Sequence, residues 1–259
     1  MSSLHFFSVI LGIGASFGLL WILESAPTAQ RIDWLLAGLL TVAGALIGAR
    51  LGYVLEHLAY FSGHPDEMAQ IWLGGLAWEG AFCGGVLTLP LVAKLWQWPL
   101  PVVLDRLSRL VLPLGVAGWA GCWLNGLGYG ISLATPVWWQ FPMLDESGQI
   151  SLRTPVQPLA ILSLIVFLGV LELGLRTSPR EREGLRGWAT LFIFSADMTL
   201  FTFLRADPAP GWLGLRFESW FAIIYTLLGI LGTIGYLLKN TKVFPWRRPI
   251  KENKESKPL

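Results

Sequence analysis

The chain has 259 residues, 54% of them apolar or aromatic and only 14% charged, with 19 Lys and Arg against 17 Asp and Glu for a formal charge of +2. A soluble domain carries about a quarter charged residues, and here the mean hydropathy is +0.57. Those figures exclude an intrinsically disordered chain, a collagen-like repeat and a soluble nucleic-acid binder. A polytopic, all-α membrane protein remains, with the lipid bilayer as its first partner and no nucleic acid expected. The 14 Trp against five Tyr suit rings seated at a membrane–water interface.

A spanning helix needs about 20 largely apolar residues. In chain order, seven stretches qualify: about 4–22, 34–55, 74–96, 107–127, 156–175, 187–204 and 218–238. The first has no basic leader region and reaches Glu24 without a small-residue cleavage pattern, so it reads as a span and not as a signal peptide. Small residues recur within the spans, as in Ala43-Gly44-Ala45 and Gly115-Val116-Ala117-Gly118, and predict closely packed helix faces. Asp105, Arg106 and Arg109 crowd the start of the fourth span. The 128–154 connection holds Trp138, Trp139, Phe141 and two prolines, and reads either as an aromatic-anchored surface loop or as a functional lid.

Basic residues set the orientation. Lys94, Arg106 and Arg109 fall in one loop, Arg176, Arg180, Arg182 and Arg186 in another. Lys239, Lys242, Arg247, Arg248, Lys251, Lys254 and Lys257 fall in the tail. With seven spans all three lie on one side, which predicts the N-terminus outside and the C-terminus cytoplasmic. Residues 1–238 form a single seven-helix transmembrane domain in this reading. Residues 239–259 form a basic cytoplasmic tail attracted to anionic lipid.

Cys83 and Cys122 lie in apolar runs and read as buried thiols. His5, His57 and His64 are scattered and there is no Cys-x-x-Cys pair, so neither a metal nor a cofactor is expected.

Ionisable side chains at membrane depth face a cavity or a partner, because desolvating them alone is costly. Arg50 lies inside the second run and either pairs with backbone carbonyls or grips a lipid phosphate. Glu79, at the outer end of the third, is a counter-ion for Arg50 or a proton acceptor. Asn125, ending the fourth, caps its helix or binds a ligand. Asp197, in the sixth, has Arg205 as its nearest sequence candidate for a partner. Gly126, Gly128 and Gly130 alternate like a phosphate loop but lack the strand–turn–helix setting and the Lys-Ser/Thr ending of a nucleotide site.

Several of these segments together resemble the bacterial prolipoprotein diacylglyceryl transferase family over about residues 40–238. Gly48-Ala49-Arg50-Leu51-Gly52-Tyr53 is similar to the family's Gly-x-Arg-Leu/Ile-Gly-Tyr segment. Ile71-Trp72-Leu73-Gly74-Gly75-Leu76-Ala77-Trp78-Glu79-Gly80 resembles its Trp-x-Gly-Gly run, which ends His-Gly-Gly. Gly118-Trp119-Ala120-Gly121-Cys122-Trp123-Leu124-Asn125-Gly126, continuing to Tyr129-Gly130, resembles its Arg- and Asn-containing signature. Thr154-Pro155-Val156-Gln157 resembles its His-Pro-x-Gln, and Phe203-Leu204-Arg205-Ala206-Asp207 its Phe-Phe-Arg ending. The family histidine falls on Glu79, the signature arginine on Trp119, its first asparagine on Cys122 and its glutamate on Leu127. The His-Pro histidine falls on Thr154, and a further arginine and glutamate fall near Met198 and Thr202.

The resemblance implies a seven-span enzyme of the bacterial inner membrane. It would move diacylglyceryl from phosphatidylglycerol to the lipobox cysteine thiol of a prolipoprotein, without a cofactor. Glu79 and Arg50 are then the catalytic candidates, and Tyr53, Asn125, Gly126, Gly130, Gln157 and Arg205 the substrate-binding ones. A thiol of pKa about 8.5 needs a base at neutral pH, and a departing phosphate needs cationic or hydrogen-bonding support. Two alternatives stay open: an inactive relative that binds phospholipid or a lipoprotein precursor, and a small transporter.

Overall fold

The helices follow in the order α1 (Ser3–Ser25), α2 (Arg31–Glu56), a one-turn α3 (Leu58–Phe61), α4 (Trp78–Trp96), α5 (Leu100–Leu107), α6 (Val111–Leu124), α7 (Val156–Arg176), α8 (Leu185–Leu204) and α9 (Phe217–Thr241). Among the described residues, two short antiparallel hairpins interrupt them: β1 (Phe141–Leu144) with β2 (Ile150–Arg153), and β3 (Gly211–Trp212) with β4 (Leu215–Arg216). The structure is a computed structural model that describes residues 3–133, 135, 137–144, 148–176 and 183–241. Most of the basic tail, and Arg180 and Arg182, lie outside those residues.

Among the described residues, five stretches are long and apolar enough to cross a membrane: Phe7–Ser25, Thr28–Glu56, Val156–Arg176, Leu185–Leu204 and Phe217–Lys239. The chain is therefore an all-α polytopic membrane protein. Two expected spans take other forms. The third is α4, 19 residues long with Pro90 inside it. The fourth, expected unbroken over 107–127, begins at the last residue of α5, passes through a 3-10 turn at Ser108–Leu110 and is α-helical only over α6. Pro113, in the first turn of α6, has no N–H to give the carbonyl of Arg109, which costs the ladder one bond where the 3-10 turn meets α6.

Glycine spacing decides how α2 meets α4. Gly44, Gly48 and Gly52 recur every four residues on α2, and Gly80 and Gly84 do so on α4, each set forming one helix face. A Cβ on Gly48 would collide with the carbonyl oxygen of Gly80, and one on Gly80 with that of Gly48. Gly44 lies against Gly84 and Gly52 against Gly80, so the helices run antiparallel with their backbones touching. This contact is van der Waals packing of the kind lipid-embedded helices rely on.

Elsewhere, aromatic and apolar side chains fill the seams. Trp34 of α2 stacks on Trp98 at 3.7 Å beside the fully buried Ile22, Val92 and Val103. Arg106 lies over the Trp34 ring at 4.7 Å and donates to the Ser25 carbonyl at 2.7 Å. Trp119, Leu164, Phe194, Met198 and Phe201 form a second core where α6, α7 and α8 meet. Asp105 of α5 caps α8 from outside, accepting from the N–H groups of Gly184 at 2.6 Å and Gly187 at 2.7 Å, which satisfies two of the donors every helix start leaves open. Leu36, Leu87, Phe167 and Leu231 point outward, as lipid-facing residues do. Cys83 is exposed and Cys122 only partly buried, where both were expected to be buried thiols.

Candidate functional site

Arg50 sits 6% exposed on the last turns of α2, and its donors are committed to the backbone. Nε donates to the Met68 carbonyl at 2.9 Å and Nη2 to that of Glu67 at 2.6 Å. Nη1 donates to Gly74 at 2.5 Å and Gly75 at 3.1 Å. Gly74 and Gly75 both have positive φ, 87° and 71°, a conformation glycine adopts without steric cost. It turns their carbonyls onto the guanidinium. A Cβ on Gly75 would strike the Tyr53 ring. Phe61 lies 5.3 Å from the guanidinium carbon and Tyr53 5.8 Å. Of the two sequence readings, the carbonyl-paired one is what forms: Arg50 holds the 67–75 loop against α2. Among the described residues it does not pair with Glu79.

Glu79 stands in the first turn of α4, 4% exposed. The Ala77 N–H donates to the Ala49 carbonyl at 3.0 Å and so fixes the entry to that turn. The hydroxyl of Tyr225 donates to the backbone carbonyl of Glu79 at 3.1 Å. Glu79 Oε1 is buried without a partner among the described residues. The next residue back, Trp78, donates from Nε1 to Glu218 Oε2 at 3.2 Å.

Glu218 belongs to a four-charge network at the same end of the molecule. Arg205 forks onto Asp207, Nε to Oδ1 at 2.9 Å and Nη2 to Oδ2 at 2.6 Å, and reaches Glu218 Oε2 through Nη1 at 2.9 Å. Arg216 donates to Glu218 Oε1 at 2.6 Å, to the Asp207 carbonyl at 2.5 Å and to Asp207 Oδ2 at 3.2 Å. Burial alone would raise the Asp207 carboxyl. The bond and charge of Arg205, with Arg216 behind it, outweigh burial and hold it below the usual carboxylate range. Asp197 takes no part. It accepts from Ser163 instead of meeting Arg205, because Arg205 lies two turns further on and is fully engaged at the helix end.

The 125–130 turn packs on this network. Asn125 donates from Nδ2 to the Gly121 carbonyl at 2.7 Å, closing the end of α6, which is its capping reading. Gly126 and Gly128 have φ of 67° and 66°. Gln157, fully buried, donates from Nε2 to the Leu127 carbonyl at 2.7 Å and keeps Oε1 unpartnered. Gly130 pairs with Arg205 in an antiparallel bridge, through Ile131 N–H to the Leu204 carbonyl at 3.0 Å and Ala206 N–H to that of Tyr129 at 2.9 Å. A Cβ at Gly130 would collide with the Thr154 carbonyl, and one at Gly128 would lie 3.5 Å from Arg205 Nε.

The candidate residues thus fall into two groups. Arg50, Tyr53 and Glu79 lie along the α2–α4 seam, and Asn125, Gly126, Gly130, Gln157 and Arg205 around the glycine turn. The Trp78–Glu218–Arg205 chain of hydrogen bonds joins them. A recess of about 420 Å³ opens beside the first group, lined by Leu55, Glu56, Pro210, Gly211, Trp212 and Phe217. Sequence reasoning passed over Glu56, Trp78, Arg216 and Glu218. The one signal available was the charge pair flanking Phe217 at the head of the last span. Of the altered signature positions, Trp119 and Met198 are core residues, and Thr154 donates its hydroxyl to the Ile131 carbonyl at 3.1 Å.

A family model described as prolipoprotein diacylglyceryl transferase matches residues 1–235. The chain is 30% identical over 229 residues to the phosphatidylglycerol–prolipoprotein diacylglyceryl transferase of Polynucleobacter asymbioticus, covering 83% of this chain and 82% of that one. It is 32% identical over 254 residues to the protein of the same description from Wolbachia pipientis wMel, covering 93% and 94%.

Proposed function

The chain belongs to the prolipoprotein diacylglyceryl transferase family, and from that premise we propose that it moves diacylglyceryl from phosphatidylglycerol to the lipobox cysteine of a prolipoprotein in the bacterial inner membrane. The observation that carries the reading is Glu79: a buried carboxyl with one unpartnered oxygen, at the position of the family histidine and close beside an apolar recess. In the step, the thiol sulfur forms a bond to the glyceryl carbon as that carbon's bond to phosphate oxygen breaks. The electron pair leaves on the phosphate, and the thiol proton passes to Glu79. Arg205, beside Gly128, and Arg153, which donates to the Gly130 carbonyl at 3.5 Å and lies 4.3 Å over the Tyr129 ring, are the cations at the glycine turn that could face the departing phosphate. Arg50 acts through the 67–75 loop, which it holds so that α4 begins where Glu79 is needed. Tyr53, Asn125, Gly126, Gly130 and Gln157 shape the two turns that enclose the substrate.

Seven crossings with the N-terminus outside fit this reading. The ends of α2, α6 and α8 and the starts of α4, α7 and α9 share one end of the bundle, where Glu56, Glu79, Asp207 and Glu218 lie. Lys94, Arg106, Arg109, Arg176 and Arg186 occupy the other, as a cytoplasmic face requires. A single cysteine placed at Trp138, which is almost fully exposed, should react with a membrane-impermeant maleimide in spheroplasts of a Cys83→Ser, Cys122→Ser background. Protection of that residue from the outside reagent would reverse the orientation.

One observation favours a second reading. The signature arginine position is filled by Trp119, 5% exposed in an apolar core, as a relative that binds lipid without turnover would tolerate. Purified protein in detergent, given labelled phosphatidylglycerol and a lipobox peptide, decides between them. Label on the peptide cysteine establishes transfer, and saturable lipid binding without labelled peptide establishes the inactive relative.

A further inference from the structure

At the end of α6 away from Asn125, a cavity is lined by Trp21 of α1, Arg109 just before α6, Leu168, Leu171 and Glu172 of α7, and Arg186 of α8. It lies where the α1–α6, α6–α7 and α7–α8 seams meet. It holds about 20 Å³, room for one oxygen-sized group, and is open to the outside. These residues all lie within about two turns of the ends of their spans, which close at Ser25 and Arg176 and begin at Leu185. That is the depth at which lipid head groups meet a bundle. Glu172 is the carboxylate on the wall, and it already holds two cations, Arg186 and, at 3.1 Å, Arg176. Arg109 has no carboxylate partner among the described residues. Its Nη1 donates to the Asp105 carbonyl at 3.2 Å, and its Nε is buried without a partner among those residues. The Asp105 carboxyl oxygens are taken by the N–H groups of Gly184 and Gly187. Arg106 is turned away, onto the Trp34 ring and the Ser25 carbonyl. The cavity therefore has more cation than anion on its wall, and a guanidinium with donors to spare.

We propose that this cavity binds the phosphate of an anionic phospholipid from the leaflet at the basic end of the bundle. One phosphate oxygen enters it, Arg109 and Arg186 meet the charge, and an acyl chain runs along Trp21, Leu168 and Leu171. A phosphate offers paired acceptors that a guanidinium fork matches, and a basic pocket between membrane helices is the arrangement that takes such head groups. A zwitterionic lipid would bring its own ammonium towards the arginines, whereas phosphatidylglycerol or phosphatidic acid brings negative charge alone. Inorganic phosphate carries the same acceptors but leaves the apolar wall uncovered, so the lipid is the better fit. The site is separate from the one around Glu79 and the glycine turn, and it stands whether or not the protein turns over. Bound there, the lipid would join α1 to α7 and α8.

The test uses the full-length protein in detergent and a phosphatidic acid that carries a diazirine on one acyl chain near the glycerol. After irradiation the labelled peptides are mapped, which requires no turnover. Label should fall on α1 around Trp21 and on α7 between Leu168 and Glu172. Excess phosphatidylglycerol should remove it, whereas phosphatidylcholine and millimolar inorganic phosphate should leave it. In Arg109→Gln, shown to be folded by thermal unfolding, label on these two segments should fall about ten-fold, as for the loss of one charged hydrogen bond. Label that persists in Arg109→Gln, or that phosphatidylcholine removes equally well, overturns the phosphate contact. Inorganic phosphate competing as strongly as phosphatidylglycerol shows a free-phosphate site and overturns the lipid. If Arg109→Gln does not fold, the competition in wild type decides by itself.

Discussion

Trp78 and Glu218, 140 residues apart, are joined by one hydrogen bond of 3.2 Å from the indole to the carboxylate. The indole also meets Phe194 and Tyr225 edge-on at 6.0 and 6.4 Å, so its plane is fixed by packing and its N–H has one direction. That bond ties the turn that carries Glu79 to the network that holds Arg205. A Trp78→Phe protein keeps a ring and loses the donor. It should lose about 1.5–3 kcal/mol, the range for a bond to a charged acceptor, together with a measurable part of its transfer rate. Unfolding titrations in mixed detergent measure the first and labelled-peptide transfer the second. A variant equal to wild type in both would show that the two halves of the site are independent.

Arg50 makes four bonds to carbonyls from one loop. Lysine has one nitrogen at the end of its chain and cannot reach Glu67, Met68, Gly74 and Gly75 together. Arg50→Lys should therefore resemble Arg50→Ala more than wild type. Both should be destabilised by about 1 kcal/mol or more for each of these part-buried bonds lost. Limited proteolysis within 62–70 should speed up in both. Equal cleavage of Arg50→Lys and wild type would mean that the loop stands without the guanidinium.

The sequence showed where the chemistry gathers better than how it is wired. Arg50, Glu79 and Gln157 stood out because a polar group inside an apolar run demands a partner. The partners lie in loops that fold back over 17 to 30 residues, which no periodicity encodes. Gly74-Gly75 was the trace of one such reversal. Glu56 was hidden for the opposite reason: an acid at the end of a span is ordinary, and only the fold brings it to the recess lined by Trp212 and Phe217. The break at Ser108–Leu110 lay inside a continuous apolar run, where Pro113 was the sole warning. The glycine face of α2, by contrast, could be read directly, since its four-residue spacing is the contact.

That face gives a prediction on the fold that also reaches the site. Adding one methyl at Gly48 places it on the Gly80 carbonyl, and backbone cannot rotate away as a side chain can. Gly48→Ala should cost about 1–3 kcal/mol, the range for forcing extra volume into a packed core, and should widen the α2–α4 seam that carries Arg50 and Glu79. Gly12, which has open space where a Cβ would lie, should accept the same change with little effect. If Gly48→Ala unfolds at the same detergent concentration as Gly12→Ala, the seam is looser than the contact implies.

The charge network makes stability depend on acid in one direction only. Asp207 is held below its ordinary range by Arg205 and Arg216 despite burial. The folded chain therefore binds fewer protons there than the unfolded chain, whose aspartate titrates near pH 3.9. The stabilisation is fully present above that value and is lost as the pH falls through the lower, folded one. Resistance to unfolding from this group should be flat between about pH 5 and 8 and should decline below about pH 4. Replacing Asp207 by Asn removes the titrating group while leaving Arg205 and Arg216 short of one anion. The variant should be weaker by about 3 kcal/mol near neutrality, as when one member of a buried ion pair is deleted. It should also be less sensitive to acid, so that the difference between the two proteins shrinks as the pH drops. Other carboxylates cancel in that difference, provided they titrate alike in both. A gap that stays constant or widens between pH 5 and 3 would mean that Asp207 is not the anion that anchors the arginines.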